Sequence, residues 1–138
     1  MILIYLSSGI FLGWSSGAND AANVIGTAVG SKMVRFRTAA VICGVFVILG
    51  AVLSGSGPAQ TLEELGAVDA IAGSFMVALS AAFTVWRMTK LKIPVSTSQA
   101  IVGAIIGWNF YTNSPTDYDS LTKIVITWAV SPVLAAGF

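Results

Sequence analysis

The charged residues of this 138-residue chain fall in short clusters that leave long stretches with none at all. Uncharged runs occupy residues 1–19, 21–31, 38–62, 70–86, 93–116 and 124–138. A bilayer-spanning helix needs about 20 mostly apolar residues. In lipid only helices and closed barrels satisfy their own backbone. Runs of this length, parted by charged clusters, predict an all-α polytopic membrane protein. Composition agrees: 56% of the residues are hydrophobic and 9% charged, where soluble domains carry about 25% charged, and mean hydropathy is +0.86. A net charge of +1 offers nothing to nucleic acid. Cys43 is the one cysteine and histidine is absent, which excludes a disulfide framework and a Cys- or His-based metal site. Met1 leads into apolar residues without the basic segment of a secretory signal.

Basic residues set the expected orientation. Lys32, Arg35 and Arg37 form one cluster and Arg87, Lys90 and Lys92 another, whereas residues 56–69 carry Glu63, Glu64 and Asp69 with no Lys or Arg. The positive-inside rule places clusters 32–37 and 87–92 in the cytoplasm and the acidic loop outside. Spans at 38–55 and 70–86 then alternate in direction, and the N-terminus begins outside. After residue 92 two topologies stay open. Either 94–110 crosses outward, or it forms half of a re-entrant hairpin completed by 121–138.

The first polar motif is Gly17-Ala18-Asn19-Asp20-Ala21-Ala22-Asn23, followed by Gly26, Thr27, Gly30 and Ser31. Asp20 is the only charged residue in the first 31. A carboxylate in a membrane segment costs roughly 2.5–3.5 kcal/mol on insertion scales and marks an ion site or pathway. On a helix Asp20, Asn23 and Thr27 share a face, and Asn19 lies one turn before Asn23. That stripe of oxygens, with one negative charge, suits a hard monovalent cation such as Na⁺ better than a transition metal. A proton on Asp20 is the other option, because desolvation raises a carboxyl pKa. Gly9, Gly13 and Gly17 recur every fourth residue, as do Gly26 and Gly30, a spacing that lets membrane helices approach closely. Segment 1–31 is too long for one plain crossing, and a local unwinding at Gly17 would add backbone carbonyls to the cation ligands.

The second motif is Pro94-Val95-Ser96-Thr97-Ser98-Gln99, running on to Gly103 and Gly107. Pro94 cannot continue a preceding helix, and the hydroxyls that follow are helix starters. Ser96, Thr97 or Ser98 is the expected N-cap. Hydroxyls and unpaired N–H groups would then converge at the positive end of a helix dipole, which suits an oxyanion. Simple capping is the plainer reading, but three hydroxyls and an amide exceed what a cap requires. Gly103 and Gly107 read as close packing against the first segment, Trp108 and Tyr111 as interfacial anchors. The sequence stops at Ala135-Ala136-Gly137-Phe138 in mid-pattern, with no closing polar loop, so a natural C-terminus is not expected there.

A carboxylate–amide cation motif and a helix-start anion motif, both at membrane depth, form the pattern of secondary transporters. Gly17 to Asn23 with Gly26-Thr27-Ala28-Val29-Gly30-Ser31 resembles the signature of the inorganic phosphate transporter (PiT) family, and Pro94 to Gly103 resembles its second motif. The resemblance implies a sodium- or proton-coupled phosphate symporter built from two inverted repeats with broken or re-entrant helices. Each repeat would carry one copy of both motifs. Residues 1–138 have one copy of each and would be the first repeat, a single transmembrane domain. By this resemblance Asp20, Asn23 and Asn19 take part in sodium binding, and Ser96, Thr97, Ser98 and Gln99 in phosphate binding. It also implies no cofactor beyond Na⁺ (or H⁺) as coupling ion. The implied partners are inorganic phosphate, sodium, the second repeat and further copies in a homo-oligomer. Gln99 stands where many members carry histidine. A sulfate or other oxyanion carrier and a non-transporting membrane subunit are the alternatives. An enzyme ranks last among the readings, since without His, a reactive Cys or a Ser–base pair no catalytic constellation assembles.

Overall fold

An apolar chain in lipid has to pair its N–H and C=O groups locally, and most of the described residues of this one do so in helices. The computed structural model describes residues 2–56, 60, 65 and 71–137. Among them run α1 (Ile2–Gly30), α2 (Phe36–Ser54), α3 (Ile71–Lys90), α4 (Thr97–Thr112) and α5 (Tyr118–Ala136). Helices α2, α3 and α5 are long and apolar enough to cross a membrane by length and composition. Helix α1 has the length, 29 residues or about 43 Å, but its serines, asparagines and Asp20 dilute its apolar content. Gly57, Pro58 and the acidic residues Glu63, Glu64 and Asp69 lie outside the described residues.

Helix α1 is continuous through Gly17, so the expected unwinding there is not observed. Its polar stripe needs no break, because i, i+3 and i+7 positions already share a face. The glycines are a second correction. A Cβ at Gly9, Gly13, Gly17, Gly26 or Gly30 would meet nothing within 4 Å, and the same holds for Gly103 and Gly107. Spacing identifies a face but not whether a neighbour covers it. The buried stripe of α1 is instead Ser8, Ser15 and Asn19. Ser8 and Ser15 turn their hydroxyls back onto Tyr5 O (3.1 Å) and Leu12 O (3.0 Å), which satisfies them without a partner helix.

That stripe packs on α3, where Gly73, Val77, Ala81, Ala82 and Val85 are buried. Tyr5 meets Phe75 edge-on at 5.8 Å, and Thr89 reaches Asn19 across a separation of 70 residues. The two contacts share one offset, so α1 and α3 run parallel and in constant register. By the same register α1 extends beyond the end of α3 for about ten residues, roughly 15 Å. Both helices end in a left-handed lysine, Lys32 (φ 60) and Lys92 (φ 59). Lys92 N donates to Thr89 O (3.0 Å) and Ile93 N to Met88 O (3.0 Å), the paired bonds that close a helix on a residue with positive φ. The lysine ammonium suits the negative end of each helix dipole.

Helix α4 packs on α3 rather than on α1, and it runs antiparallel to α3. Its start lies beside Asn19, and Trp108, near its end, covers Gly73. A Cβ on Gly73 would stand 2.9 Å from Trp108 Cζ2. Trp108 is thus a packing residue on α3, whereas Tyr111 is exposed. Val77, Val102, Ile105 and Leu65 form the core cluster, against which Leu121, Ile124 and Trp128 of α5 also pack. Only Ala39 of α2 is buried. We expect Gly73→Val to lower thermal stability of the purified protein by about 1–3 kcal/mol, as overpacking does. Gly13→Ala, on an open face, should stay within about 0.5 kcal/mol. Equal effects at the two positions would remove the Trp108 contact as the cause.

Asp117 caps α5. It accepts from Asp119 N (2.9 Å) and Ser120 Oγ (2.6 Å). The Ser120 hydroxyl first, then the Asp119 N–H, hold its carboxyl below the usual 3.8. A carboxyl depressed in the folded state stabilises above its unfolded pKa, and that contribution fades as pH falls through the lower folded value. The start of α5 should therefore loosen only in strong acid, and Asp117→Asn should abolish this acid step in amide exchange.

Candidate functional site

Pro94 ends helical continuity, and residues 93–96 form an extended linker between α3 and α4. The linker folds against α1, so the start of α4 arrives beside Asp20. Since α1 continues for about ten residues past Asp20, this start sits roughly 15 Å short of the end of α1. Helix α4 itself spans 16 residues, about 24 Å, less than the ~30 Å of a hydrocarbon core. It therefore begins partway along α1 and runs back toward the N-terminal end of α1.

Asp20, Asn23, Pro94, Val95, Ser96, Thr97 and Ser98 line one open hollow of about 420 Å³. Thr97 Oγ1 stands 3.5 Å from Asp20 Oδ2, at the outer edge of hydrogen-bond range. Asn19 Nδ2 donates to Asp20 Oδ1 at 2.9 Å. Both carboxylate oxygens therefore face donors. Ser96 is the N-cap: its Oγ accepts from Gln99 N at 3.3 Å and lies 3.0 Å from Ser98 Oγ. Ala100 N closes the first helical turn onto Ser96 O. Among the described residues no acceptor meets the N–H groups of Thr97 and Ser98. Capping and a donor-rich helix start thus coexist, one on Ser96 and the other on its two successors.

Five of the candidate site residues share the hollow: Asp20, Asn23, Ser96, Thr97 and Ser98. Gln99 does not. Its side chain is exposed, and each helical residue turns about 100° from the last, which carries it off the face held by Thr97 and Ser98. Thr27 is also outside. Asn19 is buried against α3, and its amide is taken up by protein partners (Val95 O at 2.6 Å and Val95 N at 3.4 Å) rather than turned into the hollow. Pro94 and Val95 were not marked as site residues, although Pro94, as a helix stop, already signalled that backbone would be exposed there.

The Phosphate transporter family model matches residues 16–138. A Pyrococcus furiosus protein named as a phosphate permease is 34% identical over 151 positions, covering 100% of this chain and 36% of the relative. A Chlamydia pneumoniae protein, also named as a phosphate permease, is 34% identical over 145 positions, covering 97% of this chain and 34% of its own length. The mouse sodium-dependent phosphate transporter 1 is 35% identical over 133 positions, 86% of this chain and 19% of the mouse protein. The chain thus spans about a third of the microbial relatives' length. No solved structure matches it. The matched segment contains both motifs around the hollow and most of the chain, which therefore belongs to the phosphate transporter family, a family of transporters and not of enzymes.

Proposed function

We propose that the complete protein is a secondary transporter that carries inorganic phosphate together with a cation, Na⁺ ahead of H⁺, and that this chain supplies part of the site. The observation that carries the reading is the meeting of Thr97 with Asp20 on one hollow. A helix start with free N–H groups attracts an oxyanion, but a bare carboxylate beside it would repel one. A cation held by Asp20 and Asn23 between the two relieves that repulsion, so each ion improves the site for the other. This mutual improvement is what symport needs. The printed name of the mouse relative, sodium-dependent phosphate transporter 1, supports sodium as the coupling ion. Orientation follows the basic clusters, which lie at or just after the C-terminal ends of the two parallel helices α1 and α3 and would face the cytoplasm.

Phosphate suits this site better than sulfate. Near neutral pH phosphate keeps at least one proton to donate toward Asp20, and sulfate has none. Excess sulfate should therefore leave phosphate uptake by the reconstituted protein unchanged. Strong competition would favour a general oxyanion carrier.

The hydroxyls give the direct test. Thr97→Ala with Ser98→Ala should raise the phosphate KM about tenfold or more, each hydrogen bond to a charged group being worth about 1.5–3 kcal/mol. Ser96→Ala should instead lower thermal stability by about 1 kcal/mol as a lost cap. An unchanged KM in the Thr97, Ser98 variant, with reduced stability, would assign these hydroxyls to capping alone.

A further inference from the structure

We propose that Asn19 is a positioning residue, a buried strut that holds the linker and the start of α4 against Asp20. The inference rests on the transport reading above. Asn19 is 6% exposed, and its amide is saturated on two sides. The two Nδ2 protons serve Val95 O at 2.6 Å and Asp20 Oδ1 at 2.9 Å. Oδ1 faces Val95 N at 3.4 Å and the Thr89 hydroxyl, also at 3.4 Å. That hydroxyl already donates to Val85 O at 2.8 Å, so Val95 N is the main donor to Oδ1. Reversing the amide would set Oδ1 against Val95 O at 2.6 Å, which fixes its orientation.

The linker has few other attachments. Pro94 has no N–H, and among the described residues Asn19 alone pairs the N–H and C=O of Val95. An asparagine can do this because its short amide carries a donor and an acceptor side by side, as a peptide does. A second hollow of about 330 Å³, lined in part by Asn19, Thr89, Lys92 and Ile93, adjoins the site hollow and shares Asn23 and Pro94 with it. Asn19 thus touches the carboxylate that would hold the cation and the backbone one residue before Ser96. A residue in that place sets the distance between the cation and anion subsites without binding either ion.

The test uses the complete protein in proteoliposomes, with phosphate uptake titrated at low and at saturating sodium. Asn19→Ala removes the strut. Asn19→Asp keeps its size but loses the donor to Val95 O and sets a second carboxylate beside Asp20. Both variants should raise the phosphate KM about tenfold, and the increase should persist at saturating sodium because the α4 start is displaced. In an Asn19→Ala background, Thr97→Ala should add less than about twofold, since contacts held in one network are not additive. Recovery of the normal KM at saturating sodium would make Asn19 a cation ligand and overturn the proposal. Normal KM values in Asn19→Asp, or fully multiplicative effects with Thr97→Ala, would overturn it as well. The unsubstituted protein separates the two levels: if it takes up no phosphate, the transport reading fails and the strut with it.

Discussion

Asp20→Asn in the complete protein is expected to abolish cation-dependent phosphate uptake while leaving the protein in the membrane. Asp20 is the only charge in the first 31 residues and lies on the hollow that Thr97 and Ser98 line. Two unit charges about 4 Å apart attract with about 4 kcal/mol at an effective dielectric near 20. Removing the carboxylate should therefore weaken the cation site about a thousandfold. The anion site should lose affinity in turn, because the cation that made it attractive is gone. Folding should hardly change, since asparagine fills the same volume and can still accept from Asn19. Insertion should become easier by roughly the 2.5–3.5 kcal/mol that a membrane carboxylate costs. The measurement is phosphate uptake into vesicles with and without a sodium gradient, normalised to protein in the membrane. Gradient-driven uptake at the unsubstituted level would remove Asp20 from the coupling site.

Much of this site was legible in the sequence because its chemistry is out of place there. A carboxylate with two amides in an apolar run, and hydroxyls after Pro94, stand out against lipid whatever the packing. Ser96 as N-cap and the interruption at Pro94 follow from backbone rules that hold locally. Packing was far less legible. The glycine repeat at 9, 13 and 17 marks a face, but the structure turns the serine stripe of Ser8 and Ser15 to α3 instead. In lipid both faces are permissible, since small residues of either kind allow close approach and a serine can satisfy itself on its own helix. Gly73 carried no signal until Trp108, 35 positions later, was seen above it. The α1–α3 register was equally hidden, because parallel helices leave no turn to fix it. Asn19 shows the limit most clearly. Its motif marks it as polar and functional, but only the position of Val95 distinguishes a strut from a ligand.

Residues 1–138 produced alone are expected to insert into a membrane and yet neither bind nor transport phosphate. The hollow is open, and its polar groups approach from one side only, from α1 and the start of α4. One helix N-terminus supplies about half a positive charge, whereas phosphate carries one to two negative charges. A single carboxylate can hold about one cation, so the anion would stay half in solvent and undercompensated. Most of α2 and α5 is exposed as well, and a matched relative is about three times as long as this chain. A second copy of both motifs in inverted orientation would close the site from the facing side. Co-production with the segment corresponding to the rest of the relatives' length should then restore binding and uptake. Calorimetry or radiolabelled phosphate binding on the purified 138-residue chain decides between the two cases. Saturable, sodium-dependent binding by that chain alone would show that α1 and α4 complete the site by themselves, and would sink the need for a facing half.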